Sequence, residues 1–255
     1  NAEEQKIAAD NLMTYQYNYV DHADDAITVT NIYSETGEAL TIPLDRRLSI
    51  IQNMQAYYKK YDKLKRAQKL LAVQQDACRA NIRHLESIEA SLDSSTRLAE
   101  IAEIQEELIA SGYLHEKMPK KNKDRRAQPF SFTAPDGMTI LVGKNNMQND
   151  ALTFRTAAPT DLWLHVRDIP GSHVILRTGG AVPSEETLHL AAQIAAHFSK
   201  ARGSSTVPVD YTAIRFVKKP SGSVPGFVRF THEKTLFVTE DEEALAPILA
   251  QDPTV

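Results

Sequence analysis

Apolar residues fall into three successive patterns along the chain. In the first, Ile7, Ala8, Leu12, Tyr15 and Tyr19 lie at helical spacing between Glu3 and Tyr19. Two β-rich runs follow, Ala26-Ile-Thr-Val-Thr-Asn-Ile-Tyr33 and Ala39-Leu-Thr-Ile42, and the Gly-containing stretch Ser34-Glu-Thr-Gly-Glu38 between them predicts a hairpin. A lone hairpin is barely stable in water, so this piece is expected to belong to a larger domain. In the second pattern the period becomes seven: Tyr57, Leu64, Leu71, Cys78, Leu85 and Leu92, with Tyr61 and Ile82 in a second seam that also carries Gln68, Gln75 and Glu89. After Asp93-Ser-Ser-Thr96, the residues Leu98, Ile101, Ile104, Gln105 and Leu108 form a shorter amphipathic face that ends at Ser111-Gly112. An antiparallel helical hairpin with Leu64, Leu71 and Leu85 in its seam is the economical solution; a plain three-helix core is the alternative.

The third pattern is that of a mixed α/β domain. Strands are expected at Thr139-Ile-Leu-Val142, Leu162-Trp-Leu-His-Val166, His173-Val-Ile-Leu-Arg177, Ile214-Arg-Phe-Val217, Phe227-Val-Arg-Phe230 and Thr235-Leu-Phe-Val238. One clear helix, opened by a Ser184 cap, runs to Phe198. The fold class is therefore α+β. Its expected parts are residues 1–46, the helix and β-hairpin remnant of an N-terminal domain; 47–117, the coiled-coil hairpin; 118–129, a basic linker; 130–240, the α/β domain; and 241–255, an acidic tail.

Composition narrows the function. At 255 residues, 42% hydrophobic and 24% charged, the chain has the balance of a globular protein. No stretch of about 18 apolar residues is present, no signal-peptide pattern opens the chain, and the lone Cys78 excludes an internal disulfide framework and Cys-based zinc modules. A reducing, cytoplasmic setting without membrane insertion is expected. Position 1 is Asn, so the chain is expected to begin inside a longer protein. The net charge of −4 hides a segregation. Lys120, Lys121, Lys123, Arg125 and Arg126 form a basic block, residues 130–240 hold 11 Lys/Arg against 9 Asp/Glu, and Asp241, Glu242, Glu243 and Asp252 close the chain.

Candidate chemistry concentrates in Gly143-Lys-Asn-Asn-Met-Gln-Asn-Asp150 and in Asp161-Leu-Trp-Leu-His-Val-Arg-Asp-Ile-Pro-Gly-Ser-His173, both at strand ends. Gly143-Lys144 is no phosphate-loop: Gly137 is one residue too far upstream and Asn145 replaces the required Ser/Thr. Alternation places Asp161, Trp163, His165 and Arg167 on one strand face and Leu162, Leu164 and Val166 on the other. The first face suits base stacking beside phosphate-binding cations, or else Trp163 caps the core with its ring. His165, Asp168 and His173 lack a third or fourth ligand at a familiar zinc spacing, and Ser172 and His173 point to opposite faces, so neither metal chemistry nor a nucleophile–base pair is favoured. Lys218 and Lys219, expected at a hairpin tip, are either a solvated turn or, with Lys144 and Arg167, a continuous phosphate-facing patch.

Leu141-Val-Gly-Lys-Asn-Asn146 with Asn149, Asp161-Leu-Trp-Leu-His-Val166, Asp168-Ile-Pro-Gly-Ser-His-Val174, Pro208-Val-Asp-Tyr-Thr212 and Val217-Lys-Lys-Pro220 together resemble the C-terminal domain of the NFACT family. The bacterial branch of that family comprises the fibronectin-binding protein A-like, or RqcH-type, proteins. Ile42-Pro-Leu-Asp45, Tyr57-Tyr-Lys-Lys-Tyr61, Ile104-Gln-Glu-Glu-Leu108 and Gly112-Tyr113 are similar to the family's entry to and exit from its coiled coil, so the resemblance covers nearly the whole chain. It implies a ribosome quality control factor that binds stalled 50S subunits carrying peptidyl-tRNA and recruits alanyl-tRNA for template-free alanine addition, with peptidyl transfer left to the ribosome. The implied partners are the 50S subunit, tRNA and rRNA; no cofactor or catalytic residue is implied. The family's tRNA-contacting Asp-Arg pair lies in a part absent here, so Asp45-Arg46 is not that pair. The expected nucleic-acid-binding residues are Lys144, Asn145, Asn146, Asn149, Asp161, Trp163, His165, Arg167, Asp168, Ser172, His173, Lys218 and Lys219. The competing readings are a surface adhesin for fibronectin and an RNA-modifying enzyme using His165, Asp168 and His173.

Overall fold

Residues 1–19, 24–116 and 127–252 are described by the computed structural model, and they divide into two units, 1–79 and 80–255. The expected basic linker therefore lies almost wholly outside the described residues. Among those described, no helix is long and apolar enough to cross a membrane.

In the first unit, helix α1 (Ala2–Tyr15) lays Ala8 and Leu12 on an antiparallel hairpin of β1 (Ala26–Thr30) and β2 (Ala39–Pro43). Ile27, Val29 and Ile42 point inward, as alternation requires. The strand expected to reach Tyr33 stops at Thr30, because the Asn11 side chain accepts from the Ile32 amide at 3.0 Å and bends the chain away. Asp10 receives the hydroxyls of Tyr33 and Tyr58, each at 2.5 Å, and that contact pushes the Tyr58 phenol up to about 12. Ser49 and Gln52 exchange backbone and side-chain bonds at 2.9 and 3.2 Å, a capping box that starts α2 (Ile50–Asp93). Asp45 pairs with Arg47 and Arg46 with Asp25, so neither member of Asp45-Arg46 pairs with the other.

The second unit holds the end of α2, α3 (Leu98–Ala110) and a six-stranded antiparallel sheet. Its strands are β3 (Phe130–Thr133), β4 (Thr139–Val142), β5 (Leu162–Val166), β6 (Val174–Arg177), β7 (Val207–Ala213) and β10 (Lys234–Val238), in the order β10-β7-β5-β6-β4-β3. A separate ribbon pairs β8 (Val217–Lys218) with β9 (Arg229–Phe230). One sheet face carries Ile140, Val142, Leu164, Val166, Val174, Leu176 and Val209 against α5 (Glu185–His197). α5 is capped by Ser184, whose hydroxyl accepts from the Thr187 amide at 3.1 Å.

Four expectations need correction. Within the expected acidic tail (241–255), the described residues 241–252 form no tail: Asp241 caps α6 (Glu242–Leu249), which puts Leu245 and Ile248 into the main core. Just beyond it, Gln251 bonds both the amide and the carbonyl of Thr133, closing the exposed sheet edge at β3. Ile214–Phe216 is a 3₁₀ turn rather than the start of a strand, and β3 and β7 are strands that apolar patterning alone did not mark. The helical hairpin is present, but its seam is not the sevenfold row. Cys78, Leu85 and Leu92 are exposed, whereas His84 and Ile88 are buried with Ile104 and Glu107 of α3. Thirteen residues of α3 cannot cover a 44-residue partner; farther upstream, Tyr57 packs on the cluster of Ala8 and Leu12 of α1, and Tyr58 bonds Asp10 of the same helix.

Candidate nucleic-acid interface

Strand β4 delivers the chain at Gly143 into α4 (Asn146–Ala151), and the approach is close. A Cβ on Gly143 would stand 2.1 Å from the Asn149 Oδ1, the same oxygen that accepts from the His173 amide at 3.0 Å. Asn145 caps α4 by accepting from the Gln148 amide at 2.9 Å. With their backbones fixed in this way, the polar side chains of the turn aim at α3. Lys144 Nζ meets Glu100 at 3.0 Å above the Phe130 ring, Asn145 donates to Glu103 at 2.6 Å, and Gln148 donates to Glu103 at 2.9 Å. Asn146 donates to Glu107 at 2.9 Å and to Ser87 of α2 at 2.8 Å, while His84 meets the same Glu107 oxygen at 2.9 Å. Glu100 also accepts from the Thr96 and Arg97 amides, so one carboxylate caps α3 and holds Lys144. The result is a buried polar clamp between the helical hairpin and the sheet domain. Side chains buried and bonded in this way are taken up inside the fold instead of facing an RNA.

The second motif divides in two. Asp161 is buried and accepts from the amides of Ala158 at 2.8 Å and Thr178 at 3.1 Å, bracing two loops. Trp163 is 1% exposed. Its ring packs with Leu141, Leu152, Ile175 and Val217, and against Phe230 with centroids 4.8 Å apart. The strand face expected to be a charged and aromatic surface is thus covered at Trp163 by the β8–β9 ribbon and by the helical turns after α4, and the ring has no open face for a base. His165 stacks on Trp163 at 5.6 Å and meets His173 edge-on at the same distance. Burial pushes the His173 imidazole down to about 3, helped by the neighbouring His165, and burial likewise lowers His165. Both rings are neutral at physiological pH. His173 Nδ1 lies 2.8 Å from the Thr153 hydroxyl, a structural tie.

Further along β5 the same face opens. Arg167 is exposed and bidentate on Asp210 at 2.7 and 3.0 Å, with Thr235 bonded to both. Asp168 is exposed and takes a left-handed φ of 56°, a conformation that short polar side chains tolerate. Gly171 is forced by packing, since a Cβ there would come within 2.7 Å of Ser199 Cβ; the Ser172 amide donates to Phe198 at 2.9 Å. Among the described residues no group of three His, Cys, Asp or Glu is arranged to hold a metal ion.

The continuous cationic patch is also corrected. Lys144 belongs to the clamp, Lys219 pairs with Asp150 of α4, and Arg167 shares Asp210. Of the four, Lys218 makes no ion pair among the described residues; it ends β8 where the chain enters the loop to β9. The clamp's acidic half was not anticipated from sequence, although a signal exists. Glu100, Glu103 and Glu107 recur at intervals of three and four, which puts three carboxylates on one helical face beside the apolar Ile104.

Residues 1–127 match the NFACT N-terminal and middle domains, and residues 128–229 match the NFACT protein RNA binding domain. The chain is similar to proteins named Rqc2 homolog RqcH. It is 42% identical to that of Bacillus subtilis over 92% of this chain and 41% of the relative, and 44% identical to that of Streptococcus suis over 92% of this chain and 42% of the relative. It therefore spans less than half the length of these relatives. A solved structure, the C-terminal part of the fibronectin/fibrinogen-binding protein from Streptococcus suis, is 39% identical with a TM-score of 0.71, covering 97% of this chain and 93% of that one.

Proposed function

The chain belongs to the NFACT family, and from that premise we propose that it is part of a cytoplasmic ribosome quality control factor. In this reading the whole protein binds stalled 50S subunits carrying peptidyl-tRNA, recruits alanyl-tRNA and supports template-free addition of alanine. It brings no catalytic residues of its own; peptidyl transfer is the ribosome's. The observation that carries the reading is the clamp. A domain matched to an RNA-binding family is fixed to a helical hairpin through Lys144, Asn145, Asn146 and Gln148, so that two contact surfaces are held in one geometry while the RNA is bound elsewhere on the domain. Pre-fixed geometry lowers the ordering cost of engaging a large partner. The test is reconstitution: full-length protein, stalled large subunits and alanyl-tRNA should extend the nascent chain by alanine without a message. Nascent chains of unchanged length, with the subunits bound, would reject the tailing role.

Fibronectin binding is a second reading, favoured by the name of the solved relative. Saturable binding of full-length protein to immobilised fibronectin that survives nuclease treatment would support it; binding that vanishes with nuclease would not.

A further inference from the structure

Resting on the RNA-binding reading above, we propose that the β8–β9 ribbon and the turn before it form a site for a single-stranded RNA segment, with one base on the Phe216/His232 pair and the adjoining phosphates on Lys218, Arg229 and Arg215. Residues 212–234 hold five Lys/Arg against one Asp/Glu in a chain whose net charge is −4, so the positive charge is local. Lys219, one of the five, is neutralised by Asp150. Lys218 and Arg229 are register partners across the ribbon, both exposed, and neither has an acidic partner among the described residues. Like charges placed directly opposite in a two-stranded pair repel each other. A phosphate between them removes that repulsion and gains two charge-assisted contacts.

The inner side of the ribbon explains why the pair stays in place. Val217 and Phe230, the next pair in the register, are turned into the cluster around Trp163, so Lys218 and Arg229 are held outward by a buried anchor. Beside them, the Phe216 ring stacks on the exposed His232 with centroids 4.3 Å apart and an interplanar angle of 23°. The Arg215 guanidinium lies 5.0 Å from the Phe216 ring centroid. His232 takes a φ of 59°, a left-handed conformation that is uncommon outside glycine and is often kept where side-chain direction serves a contact. Stacked rings with an adjacent guanidinium and unpaired cations two residues along a strand provide the two elements of sequence-tolerant single-strand binding, an aromatic platform and a backbone-tracking charge. The stacking role expected of Trp163 and His165 falls to Phe216 and His232, because Trp163 is buried whereas His232 is exposed.

The test uses the full-length protein and a fluorescein-labelled, unstructured single-stranded RNA, read by anisotropy across a salt series. His232→Ala should weaken binding by about ten-fold, the order expected for loss of one stacked base. Lys218→Gln with Arg229→Gln should weaken it further and reduce the log–log salt slope by roughly 1 to 1.5, the release of two single-strand counterions. Lys63→Gln with Lys69→Gln, exposed cations elsewhere, is the control for net charge. Lys218, Arg229 and His232 are changed without touching the buried anchor of Val217 and Phe230, and Phe216→Leu, which keeps the apolar volume, serves as the second stacking variant. If wild type binds the RNA and the ribbon variants bind like the control, the site is elsewhere and the RNA-binding reading survives. If wild type binds no RNA even at low salt, both fail. Equal competition by poly-glutamate, with no loss in Phe216→Leu and His232→Ala, would reduce the ribbon to a polyanion patch and overturn the proposal.

Discussion

Lys144 and Glu100 lie 3.0 Å apart with both side chains almost out of water, so the stability of each depends on the other. Removing one member of a buried pair leaves an uncompensated charge and typically costs about 3 to 5 kcal/mol, whereas replacing both by apolar groups is often nearly neutral. Lys144→Met should therefore lower unfolding stability by roughly that amount, and Lys144→Met with Glu100→Leu should recover part of it, less the α3 cap that Glu100 also provides. Denaturant melts of the three proteins check this; a Lys144→Met variant as stable as wild type would mean that the pair does not form. His173 gives a second handle. Its imidazole titrates near 6.5 when unfolded and is pushed down to about 3 when folded. Between those values the unfolded chain holds a proton that the native state lacks, so stability falls as pH drops through this window, by up to about 1.4 kcal/mol per pH unit. His165, also lowered by burial, acts in the same direction. In urea titrations at a series of pH values, His173→Gln should flatten this dependence, and an unaltered slope would contradict the neutral buried assignment.

The helical hairpin shows how a correct element can carry an incorrect seam. Leucines at seven-residue intervals read as a seam because apolar residues usually face a partner. Here the partner is too short, and the face of α2 that meets α3 and α4 is chosen by polar groups: His84 to Glu107, and Ser87 to Asn146. Ile88→Ala, 5% exposed, should cost about 2 to 4 kcal/mol, whereas Leu85→Ala, 42% exposed, should cost less than about 1 kcal/mol. Thermal melts giving the reverse order would restore the sevenfold seam. The strand containing Trp163 teaches the same lesson in a sheet. Alternation correctly separated Leu162, Leu164 and Val166 from Trp163, His165 and Arg167. It could not tell that a ribbon much later in the chain folds over Trp163 yet leaves Arg167 at the rim, because period-two patterning marks the two faces and not what covers them. The loop-bracing part of Asp161, Asn145 and Asn149 was legible, since short amide and carboxylate side chains at strand ends favour caps and turns. The clamp depends on meeting three carboxylates some 40 residues upstream, a long-range encounter that local spacing does not encode.

At the scale of the whole molecule, a chain with a net charge of −4 is assigned to RNA, and the resolution lies in where its cations are spent. Lys144 and Lys219 are neutralised inside the fold, Arg167 is shared with Asp210, and Lys218, Arg215 and Arg229 remain exposed on one ribbon and its turn. Binding carried by such cations releases counterions from the nucleic acid, so affinity should fall steeply and linearly on a log–log salt scale. The most direct measurement is co-sedimentation of the full-length protein with stalled large ribosomal subunits across a salt series. A bound fraction that is high at low salt and declines steeply with added salt is the predicted result. No association at low salt, or association indifferent to salt, would contradict it.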